Sequence, residues 1–304
     1  MKRFLARFNK AEYVFKPSQL VKRIFSAPVA PGEGLRRVRL AWGSEIEVLP
    51  QEDIGRAIIR LGLYDLTVSE IILRLCRQPQ KTPRVVLDIG ANIGYMTSVF
   101  SHGLKSEDSV YSFEPHPAIF ERLERNIRLL KGPRFFPQEL ALSDSEAELR
   151  FMLPSGFSQN EGLGFLESEL TAGKLDGAKF LKTVRCKALD QFAAEQGLES
   201  FFLVKIDTEG NELAVLKGAH RLLHEKKIQH IVFEDHDLYP TPVTKYLEEL
   251  GYHIYFLKRG FLKPQLLEGT RSTAETWEPN SFLATADPEL VRKVAKPLGW
   301  SVLR

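Results

Sequence analysis

The stretch VVLDIGANIGYMTSVF, Val85 to Phe100, sets Asp88, Gly90, Asn92 and Gly94 close together at the end of an apolar run. Glycines at a strand end let a ligand approach the main chain closely, and the N-terminus of a following helix offers unpaired N–H groups. Glu114, in SFEP, lies 24 residues beyond Gly90. That is close to the about 20 residues at which a carboxylate accepts both hydroxyls of a ribose, so the ligand is expected to contain a nucleoside. The turn G-A-N-I-G lacks the G-x-G-x-x-G spacing of dinucleotide sites and has no phosphate-binding lysine. An acid just before the loop, Asp88, suits a ligand with a cationic amino-acid end instead. S-adenosylmethionine is such a ligand.

A second group of acids could move a proton. KIDTEG supplies Asp207 and Glu209, and FEDH supplies Glu234, Asp235 and His236. Asp207, Glu209, Glu234 and His236 are the candidate bases for an acceptor hydroxyl. The acids of KIDTEG also have a structural reading, since carboxylates favour the helix N-terminus that follows. His236 fits an ordinary loop histidine as well as a base. Asp207 with Glu234 or Asp235 could share a hard divalent ion, but spacing alone does not favour it and no metal ligand is assigned. The expectation is a metal-free site with Asp207 or Glu209 turned toward the acceptor.

These residues need strand ends to hold them. RVVLDIG, SVYSFEP, FFLVKID and HIVFEDH read as buried strands, and helical spacing follows in YMTSVFSHGL, AIFERLERNIRLL, NELAVLKGAHRLLHE and TKYLEELG. RFFPQELALSD and AELRFMLP read as further strands, YHIYFLK and SFLATAD as two closing strands in an antiparallel hairpin. Alternating strands and helices with apolar strands predict a parallel, doubly wound sheet covered on both faces, with ligands beyond the carboxyl ends of its strands. Before it, RRVRLAWGSEIEVLP predicts a hairpin turning at Gly43-Ser44, and residues 53–77 predict two short helices. The long polar segment Ser155 to Gly177, with five glycines, is expected to be a lid facing the acceptor.

At 304 residues with 43% hydrophobic content the chain can bury a large core. Its net charge of +3 gives no case for nucleic acid. Two cysteines, Cys76 and Cys186, imply no disulfide framework and make a reducing, cytoplasmic setting the default. The first 25 residues carry seven basic residues against one acid, a local charge of +6. No run there is apolar enough for a signal peptide or a membrane span. A basic amphipathic segment of this kind suits contact with an anionic membrane, at the inner surface if the chain is cytoplasmic, or a helix with a solvated face.

Taken together, VLDIGANIG, SFEPHPAIFERLERNI, ALSD, KIDTEGNELAVLKGA and IVFEDH resemble the FkbM family of S-adenosylmethionine-dependent methyltransferases, from about Arg36 to Asp287. The resemblance implies an α/β, Rossmann-like class I methyltransferase fold, a mostly parallel doubly wound sheet of seven strands with a C-terminal antiparallel hairpin. The organisation expected is a basic extension over 1–35, a hairpin and helical cap over 36–80, and a catalytic domain over 81–304. Gly90, Asn92 and Gly94 are then expected beneath the methionine moiety, Glu114 at the ribose hydroxyls, and Leu142 and Asp144 along the adenine. Asp144 also reads as a turn residue or helix cap. Asp88 either meets the ligand ammonium or fixes the loop through backbone N–H groups. The activity implied is methylation of a hydroxyl on a sugar, glycan or other small metabolite. N-methylation, a non-catalytic S-adenosylmethionine-binding module and a membrane-associated assembly subunit are the other readings.

Overall fold

The computed structural model describes residues 34–153, 164–167, 178–235, 237–268 and 280–303. The basic extension, most of the expected lid over 155–177 and His236 lie outside them. The first elements are an antiparallel hairpin of β1 (Arg36–Arg39) and β2 (Glu45–Val48). Its turn spans Leu40 to Ser44 rather than the two residues expected. Leu40 and Trp42 are buried by packing instead of by strand pairing, because Ala41 N leaves the hairpin to donate to Gly62 O at 2.7 Å. The two short helices form as expected, α1 (Asp53–Leu61) and α2 (Leu66–Cys76). Gly62 closes α1 in the left-handed conformation, and Asp65 caps α2 by accepting from Thr67 N at 2.9 Å and Val68 N at 3.0 Å.

Strand and helix then alternate: β3 (Val85–Ile89), α3 (Tyr95–Gly103), β4 (Ser109–Phe113), α4 (Pro117–Ile127) and β5 (Arg134–Gln138). Next come β6 (Ala141–Ser143), β7 (Ala147–Leu153), β8 (Phe165–Leu166), β9 (Lys179–Ala188) and α5 (Leu189–Glu195). The last part holds β10 (Phe201–Ile206), α6 (Glu212–Lys217), α7 (His220–His224), β11 (Ile228–Asp235), α8 (Pro242–Glu249), β12 (His253–Arg259), β13 (Pro264–Glu268), β14 (Asn280–Thr285) and α9 (Pro288–Ala295). The main sheet runs β13-β12-β14-β11-β10-β3-β4-β5. β5, β4, β3, β10 and β11 are parallel. β14 is antiparallel to both β11 and β12, so β12 points the same way as β11. The fold is a doubly wound, Rossmann-like α/β sheet.

Four details differ from the sequence reading. The sheet has eight described strands rather than seven, because β13 folds back on β12 and makes the closing hairpin, with β14 inserted between β12 and β11. RFFPQELALSD divides between two sheets: β5 takes the edge of the large one, where Pro137 is tolerated, and β6 joins β9, β7 and β8 in a separate four-stranded sheet. The helix expected over 211–225 is two, α6 and α7, parted near Gly218, where a Cβ would stand 2.0 Å from Ser143 O. β9, α5, β13 and α9 carry no expectation in the sequence reading.

Side-chain alternation sorts the sheet's two faces. Val86, Leu203, Val232 and Leu283 enter one hydrophobic cluster with α2, α3 and α9. Leu87, Val204, Ile231 and Phe282 enter the other with α5, α6, α7 and α8. Cys76 and Cys186 are buried and free. No helix among the described residues is long and apolar enough to cross a membrane.

Candidate active site

Register places a polar row inside the first face. Ser112, Asp88 and Lys205 are paired across β4, β3 and β10, so their side chains emerge side by side toward α2 and α3. Asp88 is fully buried; Thr97 Oγ1 donates to its Oδ2 at 2.6 Å, and Lys205 Nζ stands 3.7 Å from its Oδ1. Oδ1 has no hydrogen-bond partner. Burial pushes this carboxyl up, with Lys205 and Thr97 opposing. Lys205 Nζ also donates to Gly90 O at 3.1 Å and lies 3.2 Å from Asp207 Oδ2. Burial alone would lower its pKa, but Asp207, Asp88 and Glu234 outweigh burial and raise it. A buried lysine with three carboxylates around it thus ties the glycine loop to the end of β10.

The loop is shaped by close approach. Gly90 has φ +73, and a Cβ there would fall 1.8 Å from Asp207 O. Only glycine fits. Gly90 N and Ala91 N both donate to Phe113 O, at 3.1 and 2.9 Å. Asn92 takes φ +50, and Gly94, at φ +85, opens α3 beneath Leu123. Glu114 is the latch on this loop: Oε2 accepts from Asn92 N at 3.0 Å and Oε1 from His116 N at 2.9 Å. Asp88 instead reaches Thr97 and Lys205. Burial lifts the Glu114 carboxyl to about 7 against the pull of those two N–H groups. A carboxylate oxygen accepts more than one hydrogen bond, so both can still receive a hydroxyl.

Leu142, in β6, is buried, and its carbonyl accepts from Asn211 Nδ2 at 3.1 Å. Asp144 is exposed and takes a 3.0 Å bond from Ser145 Oγ, the behaviour of a turn residue. The KIDTEG turn is braced by Glu212, whose Oε1 accepts from Thr208 N at 2.8 Å, Thr208 Oγ1 at 3.1 Å and Gly210 N at 3.1 Å. Asp207 adds an ion pair to Lys205 at 3.2 Å. Glu209 sits at φ +57 inside the turn.

At the carboxyl end of β11, Glu234 leaves the strand on the same face as Lys205, by the same alternation. Its pKa is raised well above the ordinary range by burial first, then by Asp207, Asp65 and Glu209, with Lys205 opposing. Tyr64 and Asp65 enter from the turn before α2. The Tyr64 ring is half exposed and rests edge-on against Tyr95; its hydroxyl pKa is raised by burial and then by Glu234, Asp207, Asp65 and Glu209. Asp65 is raised by burial, with its helix N–H partners opposing, Asp207 raising it further and Arg259 lowering it. Asp235 accepts from Asp237 N at 3.0 Å. Among the described residues no three His, Cys, Asp or Glu side chains are placed to hold a metal ion. The sequence reading did not include Tyr64, Asp65, Lys205, Glu212 or Arg259. A lysine inside the apolar run FFLVKI was a signal of buried charge, and D-L-T ahead of an apolar stretch was a signal of a helix cap.

The profile of the methyltransferase FkbM domain matches residues 88–254, a span holding the glycine loop, Glu114, KIDTEG and FED. The hexuronic acid methyltransferase AglP of Haloferax volcanii is 30% identical over 188 residues, covering 62% of this chain and 71% of AglP. The 2-O-methyltransferase NoeI of Sinorhizobium fredii is 28% identical over 190 residues, covering 60% of this chain and 74% of NoeI. Among solved structures, an S-adenosylmethionine-dependent methyltransferase from Agrobacterium tumefaciens aligns over 84% of this chain and 72% of its own, at 10% identity and TM-score 0.43. By the extent of the profile match, the chain belongs to the FkbM methyltransferase family, an enzyme family whose methyl donor is S-adenosylmethionine.

Proposed function

We propose that the protein methylates a hydroxyl of a sugar or glycan, with Glu234 as the base. The loop fits the donor by its own features: a glycine turn that admits no Cβ at Gly90, a buried Asp88 oxygen without a hydrogen-bond partner, and a latched carboxylate at Glu114. In this reading Glu114 receives the ribose hydroxyls and Gly90, Asn92 and Gly94 pass beneath the methionine part. The Asp88–Lys205 pair sets the charge under the loop, and Leu142 and Asp144 flank the adenine through main chain and turn. When bound, S-adenosylmethionine supplies an electrophilic methyl group on a sulfonium.

A hydroxyl must lose its proton as its oxygen gains a methyl group. Glu234 is the carboxylate best poised to take it, because burial and neighbouring acids raise its pKa while Lys205 holds Asp207. The observation that carries the proposal is the place of Glu234 at the carboxyl end of β11 on the face of Lys205, while Asp207 is engaged by Lys205 at 3.2 Å. The acceptor class is supported by the names of AglP and NoeI, the one acting on a hexuronic acid and the other at a 2-O position.

The test is methyl transfer from labelled S-adenosylmethionine to uronic acid and neutral sugar glycosides. Labelled product that survives mild alkali is an ether and supports the reading; alkali-labile product is a carboxyl ester and sinks it. Glu234→Gln is expected to lower kcat by about 10²–10⁴ with cofactor affinity intact. A full rate in that variant removes Glu234 as the base.

A further inference from the structure

Three large apolar side chains stand in solvent on one corner of the molecule. Phe261 and Leu262, in the turn between β12 and β13, are 42% and 50% exposed, and Leu298, after α9, is 68% exposed. They share one patch, since Gly299 N donates to Leu262 O at 2.8 Å and Lys263 Nζ to Lys296 O at 3.1 Å. The patch is firmly held: Trp300 is fully buried beneath it and its Nε1 donates to Phe261 O at 3.1 Å. The two segments that form it, 258–265 and 292–298, carry Lys258, Arg259, Lys263, Arg292, Lys293 and Lys296 and no acidic residue.

We infer that this patch docks the protein on an anionic lipid bilayer. Exposed aliphatic and aromatic side chains ringed by lysine and arginine match a surface whose headgroups are negative and whose interior is apolar. A polyanion such as RNA matches only the rim. The basic segment over residues 1–25, at +6, has the same sign as the rim and is no electrostatic cover for it; both suit one anionic partner. Position gives the docking its use. β12 runs parallel to β11, so its carboxyl end, Arg259, lies at the site end of the sheet, near Asp65 and through it Asp207. Docking brings the site end of the sheet to the bilayer, and, resting on the sugar or glycan acceptor proposed above, it implies that this acceptor is carried by a lipid.

The experiment is flotation of the full chain with vesicles of phosphatidylcholine alone and of phosphatidylcholine with phosphatidylglycerol. Binding is expected only with phosphatidylglycerol present. Phe261→Ser, Leu262→Ser, Leu298→Ser together should weaken it at least about tenfold with every charge intact. Lys293→Gln, Lys296→Gln should weaken it about fivefold per lysine. S-adenosylhomocysteine affinity and thermal midpoint should not change in either variant, which separates loss of docking from failure of the methyl-transfer reading. Wild-type vesicle binding by the triple serine variant assigns docking to the N-terminal segment and overturns the inference. So does absence of vesicle binding by the wild-type chain, or a dimer in sedimentation that the triple substitution dissolves.

Discussion

Glu114 does two jobs with one carboxylate, and they pull its proton in opposite directions. Burial lifts its pKa to about 7 in the free protein, whereas ribose hydroxyls donating to it would favour the anion. Cofactor affinity is therefore expected to fall up to about tenfold per pH unit as pH drops below about 7. In the free protein the sign reverses. A folded pKa raised above 4.5 gives stability that is complete below 4.5 and is lost as pH rises through about 7. The rise in thermal midpoint on adding S-adenosylhomocysteine should thus grow from about pH 6 to about pH 8, and Glu114→Gln should flatten that growth while costing about 1.5–3 kcal/mol of binding per charged hydrogen bond. An affinity independent of pH in the wild-type protein would remove Glu114 from the ribose. Glu114→Ala is a harsher change than Glu114→Gln, because it strips both Asn92 N and His116 N of their acceptor. Asp88, Gly90 and Glu114 were legible as residues because loop chemistry and a fixed spacing mark them within a short stretch. Lys205, Tyr64 and Asp65 were not, because what they do depends on charges that meet only when β10, β11 and the turn before α2 are assembled.

The joint between β3 and β10 rests on a missing methyl group. At Gly90 a side chain meets both an unfavourable φ of +73 and the Asp207 carbonyl at 1.8 Å; at Gly197, φ is +63 with nothing within 4 Å. Gly197→Ala should cost about 1 kcal/mol, the cost of backbone strain alone. Gly90→Ala should cost several times that and abolish cofactor binding, since the carbonyl it displaces belongs to the end of β10. Equal midpoints in urea for the two variants would show that the joint yields and that the close approach is not required. The same packing explains why some elements were readable and others were not. β3, β4, β10 and β11 are mostly apolar runs, each within one sheet. RFFPQELALSD reads as strand along its length, and nothing in its pattern says that the chain changes sheets after Gln138. Gly218 parts α6 from α7 because β6 lies against it, a contact made 75 residues away in sequence. β9, with three lysines and one arginine in KFLKTVRCKA, carries no expectation in the sequence reading, and it is a strand where β7 and β6 pair with it.

The two ends of the described chain are held in one core, and a buried ion pair fastens them. Arg74, in α2, pairs with Glu70 one turn earlier and sends its other donors to Val294 O at 2.9 Å, Pro297 O at 3.0 Å and Gly299 O at 2.7 Å; Glu70 Oε2 accepts from Val302 N at 2.9 Å. Both side chains are nearly without solvent, at 7% and 0% exposure. The segment after α9 has little regular structure to satisfy its own carbonyls, so α2 satisfies them. Because α2 also carries Asp65 at its N-terminus, the latch links the C-terminal segment to the mouth of the site through one rigid helix. Arg74→Met keeps the aliphatic stem but leaves Glu70 buried without its counter-charge and three carbonyls without donors. Breaking a buried pair from one side costs about 3–5 kcal/mol, which for a chain of this size lowers the thermal midpoint by on the order of 10 °C. Arg74→Met together with Glu70→Leu should recover part of that loss, since the orphaned charge is gone. Loss of the latch should also open the segment after α9 to proteolysis at temperatures where the sheet stays folded, as local unfolding precedes global unfolding where few contacts hold a segment. Cleavage that begins within the main sheet, or an unchanged midpoint in Arg74→Met, would show that the burial of Trp300 and Val302 holds the C-terminal segment without the ion pair.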